Sequence, residues 1–215
     1  MTDPTLFVRA ATTPLFPPLV PEIRLHLAGE VLPLWVKTEE ALGRQGTPPP
    51  YWAFAWPGGQ ALARYVLDRG IDLRGTAVLD FGSGSGLTAI AAAKAAAASV
   101  LAADIDAFAA AAIALNAADN GVTVEITTDD VIGRNSTWDV ILIGDMCYER
   151  PLAERLTAWL KTCVRAGATV LMGDPGRSYF PQAGVERRAL YNVPTSRDLE
   201  DRDRRETGVY QLVAS

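Results

Sequence analysis

Residues 78–86 read Val-Leu-Asp-Phe-Gly-Ser-Gly-Ser-Gly, a short apolar run closed by an acid and followed by three glycines at alternate positions. Glycines at a strand-to-helix turn let a ligand's polar atoms approach the backbone amides and the N-terminus of the next helix. The spacing is G-x-G-x-G, whereas the dinucleotide fingerprint needs a glycine at the position held by Leu87. Asp80 stands two residues before the first glycine. A carboxylate there suits a cationic amino group and repels a pyrophosphate at close range. The pattern points away from a dinucleotide and towards S-adenosylmethionine, whose methionine end carries an ammonium.

Two further acids close apolar runs. Asp104 follows Ser99–Ala103, 24 residues after Asp80, within the range expected of a carboxylate that accepts from ribose hydroxyls. Asp129 or Asp130 follows Thr123–Thr127, where a carboxylate can accept from an adenine amino group. Any one of these acids alone reads as well as a loop or helix-capping residue. Three in register with a glycine-rich loop read as a ligand site, since ligands of open α/β sheets lie beyond the carboxyl ends of the strands.

The elements that must hold these residues alternate along the chain. Strand candidates are Ala77–Phe81, Ser99–Ala103, Thr123–Thr127, Asp139–Ile143 and Thr169–Met172. Helix candidates are Gly59–Arg69, Leu87–Ala97, Phe108–Asn120 and Pro151–Arg165, with Asn120-Gly121 as the stop of the third. Near-continuous apolar strands alternating with helices predict a parallel sheet covered on both faces. Arg187–Asn192 and Gly208–Val213 are candidates for an antiparallel edge. Residues 1–50 read as an irregular arm or lid. Pro14, Pro17, Pro18, Pro21, Pro33 and Pro48-Pro49-Pro50 interrupt any long helix there, and only a short one over Leu32–Leu42 is expected. Residues 51–215 read as the folded domain.

With these residues in place, the chain resembles the seven-strand class I methyltransferases, which bind S-adenosylmethionine through an acid-x-Gly-x-Gly-x-Gly loop. It resembles more closely the seven-strand lysine methyltransferases with an acid-x-x-Tyr motif after the fourth strand, here Asp145-Met146-Cys147-Tyr148. Among these it is most similar to the branch acting on the electron transfer flavoprotein beta subunit. The matching stretches are Tyr51 to Gln60 with its Trp-Pro-Gly segment, Asp104-Ile105-Asp106, Asn116 to Gly121, and Gly173 to Arg177.

The resemblance implies a doubly wound, mostly parallel seven-stranded α/β sheet of Rossmann-like type and transfer of a methyl group to lysine ε-nitrogen on a folded protein. Gly82, Ser83 and Gly84 would cradle the methionine moiety and Asp104 the ribose. Asp130, with Asp129 as the fallback, would sit at the adenine. Trp56 would wall the pocket and Gly144 give backbone room beside it. Asp145 would bind and orient the acceptor ammonium, with Tyr148 as aromatic wall and hydroxyl acceptor. A carboxylate beside an ammonium stabilises its charged form, so Asp145 is not thereby a general base. Methyl transfer needs no metal and no covalent nucleophile, because the sulfonium is already activated. One departure is the run Ala95 to Ala98, where relatives commonly carry glycine; only local adjustment is expected.

Other residues carry less. Trp52 reads equally as core or pocket, His26 as a structural or surface residue, and Asp174-Pro175-Gly176-Arg177 equally as a turn or the lining of a substrate mouth. The charged run Arg197–Glu206 reads as a solvated loop. The chain has 215 residues, 49% of them apolar, and a net charge of −5. This suits one domain and argues against nucleic acid as a partner. Cys147 and Cys163 form no metal or disulfide pattern, which fits a reducing cytoplasm. His26, the single histidine, cannot build a multi-histidine site. No apolar run reaches the roughly 18 residues of a membrane span and no secretory signal is evident; a monomer is expected. The competing readings are a small-molecule N-methyltransferase with the same cofactor, an NAD-dependent oxidoreductase, and a non-catalytic docking module.

Overall fold

The computed structural model of the protein describes residues 3–29, 31–42, 49–195 and 197–213. The chain opens with α1 (Pro4–Ala11), a hairpin of β1 (Thr13–Leu15) and β2 (Leu25–Leu27), and α2 (Val31–Leu42). A 3-10 turn at Tyr51–Ala53 leads into α3 (Pro57–Leu67). The alternating part runs β3 (Ala77–Phe81), α4 (Leu87–Lys94), β4 (Ser99–Ala103), α5 (Ala107–Asp119), β5 (Glu125–Thr127), β6 (Val140–Gly144), α6 (Arg150–Arg165) and β7 (Thr169–Asp174). It closes with β8 (Val185–Pro194), α7 (Arg197–Glu200) and β9 (Arg204–Leu212).

Seven strands form one sheet in the order β5-β4-β3-β6-β7-β9-β8. β5 through β7 are parallel, and β9 is antiparallel to both β7 and β8. The sheet expected from the sequence is present, and so is its antiparallel edge. The central strands are apolar throughout because both faces are covered. In β3, Val78 packs with Leu62 of α3 and Ile90 of α4, whereas Leu79 and Phe81 pack with Leu156 and Trp159 of α6. The period-2 alternation therefore turns Asp80 to the α3–α4 side, towards the start of α4. Among the described residues no helix is long and apolar enough to cross a membrane.

The reading of residues 1–50 as irregular is corrected. Pro4 opens α1 in its first turn, where no amide partner is lost, and the Asp3 carboxylate accepts from the Thr5 and Leu6 amides. Pro14 lies in β1, Pro17, Pro18 and Pro21 fall between the two hairpin strands, and Pro33 stands in the first turn of α2. Proline is tolerated at all of these positions. Pro48 lies outside the described residues. The segment is tied to the sheet domain: Val20, Ile23, Leu25 and Leu27 join the core beside α3 and α4. The Asn116 side chain of α5, fully buried, accepts from the His26 amide at 2.8 Å and donates to the Ser85 carbonyl at 2.8 Å. One amide group thus joins the hairpin to the glycine loop. His26 is structural, its ring lying between Asp119 and Thr12.

The alanine run after α4 shows the local adjustment expected. Ala96 is left-handed at φ 65°. The Ala97 amide donates to the Ala92 carbonyl and the Ala96 amide to the Ala93 carbonyl, which is a Schellman stop with alanine where glycine is favoured. The Cβ makes this conformation costly for alanine. Ala96→Gly is therefore expected to raise stability by about 1 kcal/mol and the Tm by roughly 2–4 °C, read by thermal unfolding.

Candidate functional site

From β3 the strand order runs to β4 and β5 on one side, and from β6 to β7 on the other. The crevice beyond the carboxyl ends of β3 and β6 is thus the topological switch point of the sheet. A cavity lies there, lined by Trp56, the loop Gly82–Ser85, Asp80, Gly144 and Asp145, with Phe54, Gly59, Leu87 and Thr88 completing its wall. A larger hollow of about 630 Å³ lies between α6 and residues 132–136. Its Arg134 and Arg155 are already paired with Asp129 and Asp130, and it gathers none of the glycine-loop residues.

Gly82, Gly84 and Gly86 all have positive φ, at 63°, 54° and 81°, so the loop curls with its amides free of Cβ obstruction. The loop is tied from below by Asp80, whose Oδ2 accepts from the Ser83 hydroxyl at 2.6 Å and the Ala89 amide at 3.0 Å. Burial pushes the Asp80 carboxyl up to about 7 against the pull of these hydrogen bonds. Asp104 braces the loop from the side. Its Oδ2 accepts from the Gly84 amide at 2.9 Å and its Oδ1 from the Asp106 amide at 3.0 Å. Burial also raises Asp104. Trp52 lies behind the loop, 2% exposed and stacked on Phe108 with centroids 6.2 Å apart. It is core packing.

Asp145 stands at the junction of three elements. Its backbone is left-handed, φ 58°, just past β6, and its amide donates to the Gly173 carbonyl of β7. Its Oδ2 accepts from the Gly58 amide at 2.5 Å and the Gly59 amide at 3.2 Å, at the start of α3. Trp56, the residue before α3, provides no side-chain cap. Asp145 therefore caps the helix from another strand, where its charge also meets the positive end of the helix dipole. Its Oδ1 accepts from Arg177 Nη2 at 2.7 Å and Nε at 3.1 Å. Burial lifts the carboxyl to about 6, with Arg177 pulling down and Asp174 and Glu200 pushing up.

Arg177 extends the network. It pairs with Glu200 through Nη2 at 2.5 Å, Glu200 also takes Arg205 Nε at 3.0 Å, and the guanidinium lies 5.6 Å from the centre of the Trp56 ring. Asp174 Oδ1 accepts from the Gly176 and Arg177 amides, fixing the turn that carries the arginine. The segment 174–177 is thus both a turn and part of the site. The reading of the run at 197–206 as solvated is corrected at Glu200, which is 7% exposed and bound to two arginines, whereas 201–204 and Glu206 are exposed. Tyr148 is partly exposed beside Tyr51, with centroids 5.4 Å apart, and Tyr51 meets Trp56 at 5.8 Å. Burial first, then the neighbouring Tyr51 phenol and the Glu149 and Asp104 carboxyls, push the Tyr148 hydroxyl up to about 12.

Of the residues singled out from the sequence, Trp56, Asp80, Gly82, Ser83, Gly84, Gly144 and Asp145 line one cavity, Asp104 holds its loop, and Tyr148 stands in the aromatic group beside it. Asp129 and Asp130 are not brought there. They form ion pairs with Arg134 and Arg155 at the surface, and opposite charges nearby hold carboxylates that follow an edge strand. The room at Gly144 is taken by α3, since a Cβ would lie 2.9 Å from the Gly59 nitrogen. The sequence reading missed Glu200, Tyr51 and Thr88. It named Ile105 only as part of a matching stretch and gave it no role, although it stands 78% exposed beside Asp104; the signal was an apolar residue directly after a candidate ligand acid. Among the described residues no cluster of His, Cys, Asp and Glu is placed to hold a metal ion.

The family model of ribosomal protein L11 methyltransferases matches residues 60–170. The electron transfer flavoprotein beta subunit lysine methyltransferase of Danio rerio is 43% identical over 178 residues, 81% of this chain and 67% of that protein. Its Xenopus laevis counterpart is 42% identical over 189 residues, 86% of this chain and 76% of that protein. A Caenorhabditis elegans homolog is 39% identical over 176 residues, covering 74% and 71%. Among solved structures, the ribosomal protein L11 methylase of Lactobacillus delbrueckii subsp. bulgaricus superposes with a TM-score of 0.53 at 22% identity, covering 75% of this chain and 81% of that one. Magnesium protoporphyrin IX methyltransferase from Synechocystis PCC 6803, solved with bound SAM, gives 0.54 at 17% identity, covering 73% and 78%. At these identities the structures speak for the fold.

The fit of α3 against the two strand ends depends on missing side chains. A Cβ on Gly58 would lie 2.1 Å from the Gly173 carbonyl oxygen and 2.5 Å from Asp145 Oδ2, whereas one on Gly59 would meet nothing nearer than Thr88 Oγ1 at 3.9 Å. Gly58→Ala is expected to cost about 3 kcal/mol by overpacking. Gly59→Ala should be neutral or slightly stabilising, because alanine is the better helix former. Chemical denaturation of both variants reads the contrast.

Proposed function

The chain belongs to the family of electron transfer flavoprotein beta subunit lysine methyltransferases, and we propose that it transfers methyl groups from S-adenosylmethionine to lysine ε-amino groups of that subunit. The observation that carries this reading is that the Gly82–Gly84 loop and Asp145 line the same cavity, of about 40 Å³. A donor held by the loop and an acceptor held by the carboxylate share one space, which is what a direct transfer requires.

The donor set suits the cofactor. A buried carboxylate below the loop, Asp80, matches an ammonium. Asp104, with its oxygens fixed by two backbone amides, keeps lone pairs for ribose hydroxyls. Exposed Ile105 offers an apolar face for adenine, and Trp56 walls the methionine side. The bound cofactor supplies a sulfonium-activated methyl group that an amine lone pair can displace in line.

The remaining work falls to the chain's own residues. Asp145 pairs with the incoming ammonium and points its nitrogen into the cavity. With its carboxyl near 6, Asp145 is a far weaker base than a lysine of pKa about 10.4, so it orients the amine and the proton leaves to water. Tyr148, its hydroxyl near 12, stays protonated and serves as wall and hydrogen-bonding group. Tyr51 and Tyr148 are exposed in the aromatic group that includes Trp56, a composition suited to a protein acceptor.

Methyl transfer is tested with labelled S-adenosylmethionine and the purified subunit. Label should enter the subunit, and Asp145→Asn should lower kcat/KM on the order of 100-fold while S-adenosylhomocysteine still binds. Label appearing only in small molecules would replace this reading with a small-molecule N-methyltransferase. The second test is pH. Asp80 is protonated below about 7 in the free protein, and a cationic ligand favours its ionised form. Binding of S-adenosylhomocysteine should therefore strengthen from pH about 5.5 to 7 and then level off, with proton release measurable by calorimetry in buffers of different ionisation heat. Affinity that is flat over this range would remove Asp80 from the ammonium site.

A further inference from the structure

We propose that Arg177 is a built-in stand-in for the acceptor's ammonium, holding Asp145 Oδ1 until a lysine displaces it onto Glu200. The inference rests on the reading of Asp145 as the acceptor's anchor and adds how that anchor is kept and released.

Asp145 has two oxygens with different fates. Oδ2 is held by the Gly58 and Gly59 amides, which are backbone and cannot leave without moving α3. Oδ1 is held by the Nε and Nη2 of Arg177, a side chain. The Arg177 side chain is 18% exposed against 9% for Asp145, so of the two partners the arginine is the more open to solvent. An ammonium that reaches Oδ1 takes the place of one cation by another, and the buried charge stays compensated throughout. A neutral acceptor leaves the displaced carboxylate unpaired, which is strongly unfavourable.

The place for the displaced guanidinium is already built. Glu200 receives both Nη1 and Nη2 of Arg177, its side chain is 2% exposed, and Arg205 keeps it in position. The Arg177 backbone is pinned by Asp174 Oδ1 through its own amide and that of Gly176. The exchange is therefore a side-chain rotation beside the Trp56 ring, 5.6 Å away, with no loop opening.

Two variants with opposite expected signs test the idea at about pH 8.5, where Asp145 is ionised. Arg177→Met keeps the stem and removes the competing cation, and should lower the acceptor KM about tenfold. Glu200→Gln weakens the alternative partner, leaves Arg177 on Asp145, and should raise the acceptor KM about tenfold. The double variant should follow Arg177→Met. S-adenosylhomocysteine affinity reports that each variant is folded. If both single variants raise KM, Arg177 is only a strut and the proposal is overturned.

A second readout needs no turnover. Titration of the wild type with n-butylamine at the same pH should change tryptophan fluorescence saturably, n-butanol should not, and Arg177→Met should abolish the change. Equal responses to amine and alcohol, or none to either, would also overturn it. If the wild type methylates nothing in the flavoprotein subunit, the functional reading falls, and the amine titration still decides the role of Arg177.

Discussion

The Asp145 carboxylate at the N-terminus of α3 is the constraint on which the rest of the site depends. A buried anion needs partners for its lone pairs, and the start of a helix offers amides that lack partners of their own. Joining the two satisfies both and fixes the distance between β6 and α3. The contact is possible only because Gly58 and Gly173 let two backbones touch. Asp145 must also take a left-handed backbone to aim its side chain there. Such strain in a residue other than glycine persists where surroundings over-determine it, and here three elements do so.

The sheet topology then decides what shares the crevice with Asp145. Because β3 and β6 are neighbours from which the chain winds in opposite directions, no helix crosses their carboxyl ends. The loop after β3 and the turn after β6 face one space. α3 closes it from one side, carrying Trp56 at its start. The N-terminal hairpin supports the loop from behind through Asn116, which ties His26 to Ser85. Movement of the hairpin would thus be felt at the glycine loop through a single side-chain amide.

Much of this was legible in the chain. Alternating apolar runs located every central strand, since a buried parallel strand has no polar face to confuse the pattern. The G-x-G-x-G spacing after Asp80 located the loop, because few other structures need that many glycines in one turn. What failed was long-range. Glu200 sits in a run of alternating charges that looks solvated, and only the fold shows that two arginines reach it. Asp129 and Asp130 stand at the right place in the chain, and Arg134 and Arg155, 5 and 25 residues on respectively, pair with their carboxylates at the surface. The arm was misread because prolines were weighed as breakers, whereas Pro4 sits at a helix start and the hairpin prolines sit where no amide is required.

The acidic groups at the site share one construction. Asp80, Asp104, Asp145 and Asp174 each accept at least one backbone amide, from Ala89, Gly84, Gly58 and Arg177 respectively. Their positions are therefore set by the fold and not by side-chain rotamers. Charge fixed in this way does not reorganise when a cation arrives, which is the condition under which electrostatic binding in a buried site is strongest. Each carboxyl is also raised by burial, so each gains by meeting positive charge. A sulfonium-bearing amino acid and a lysine are both cationic. A crevice lined by backbone-held carboxyls selects for such a pair by the same physics at both ends.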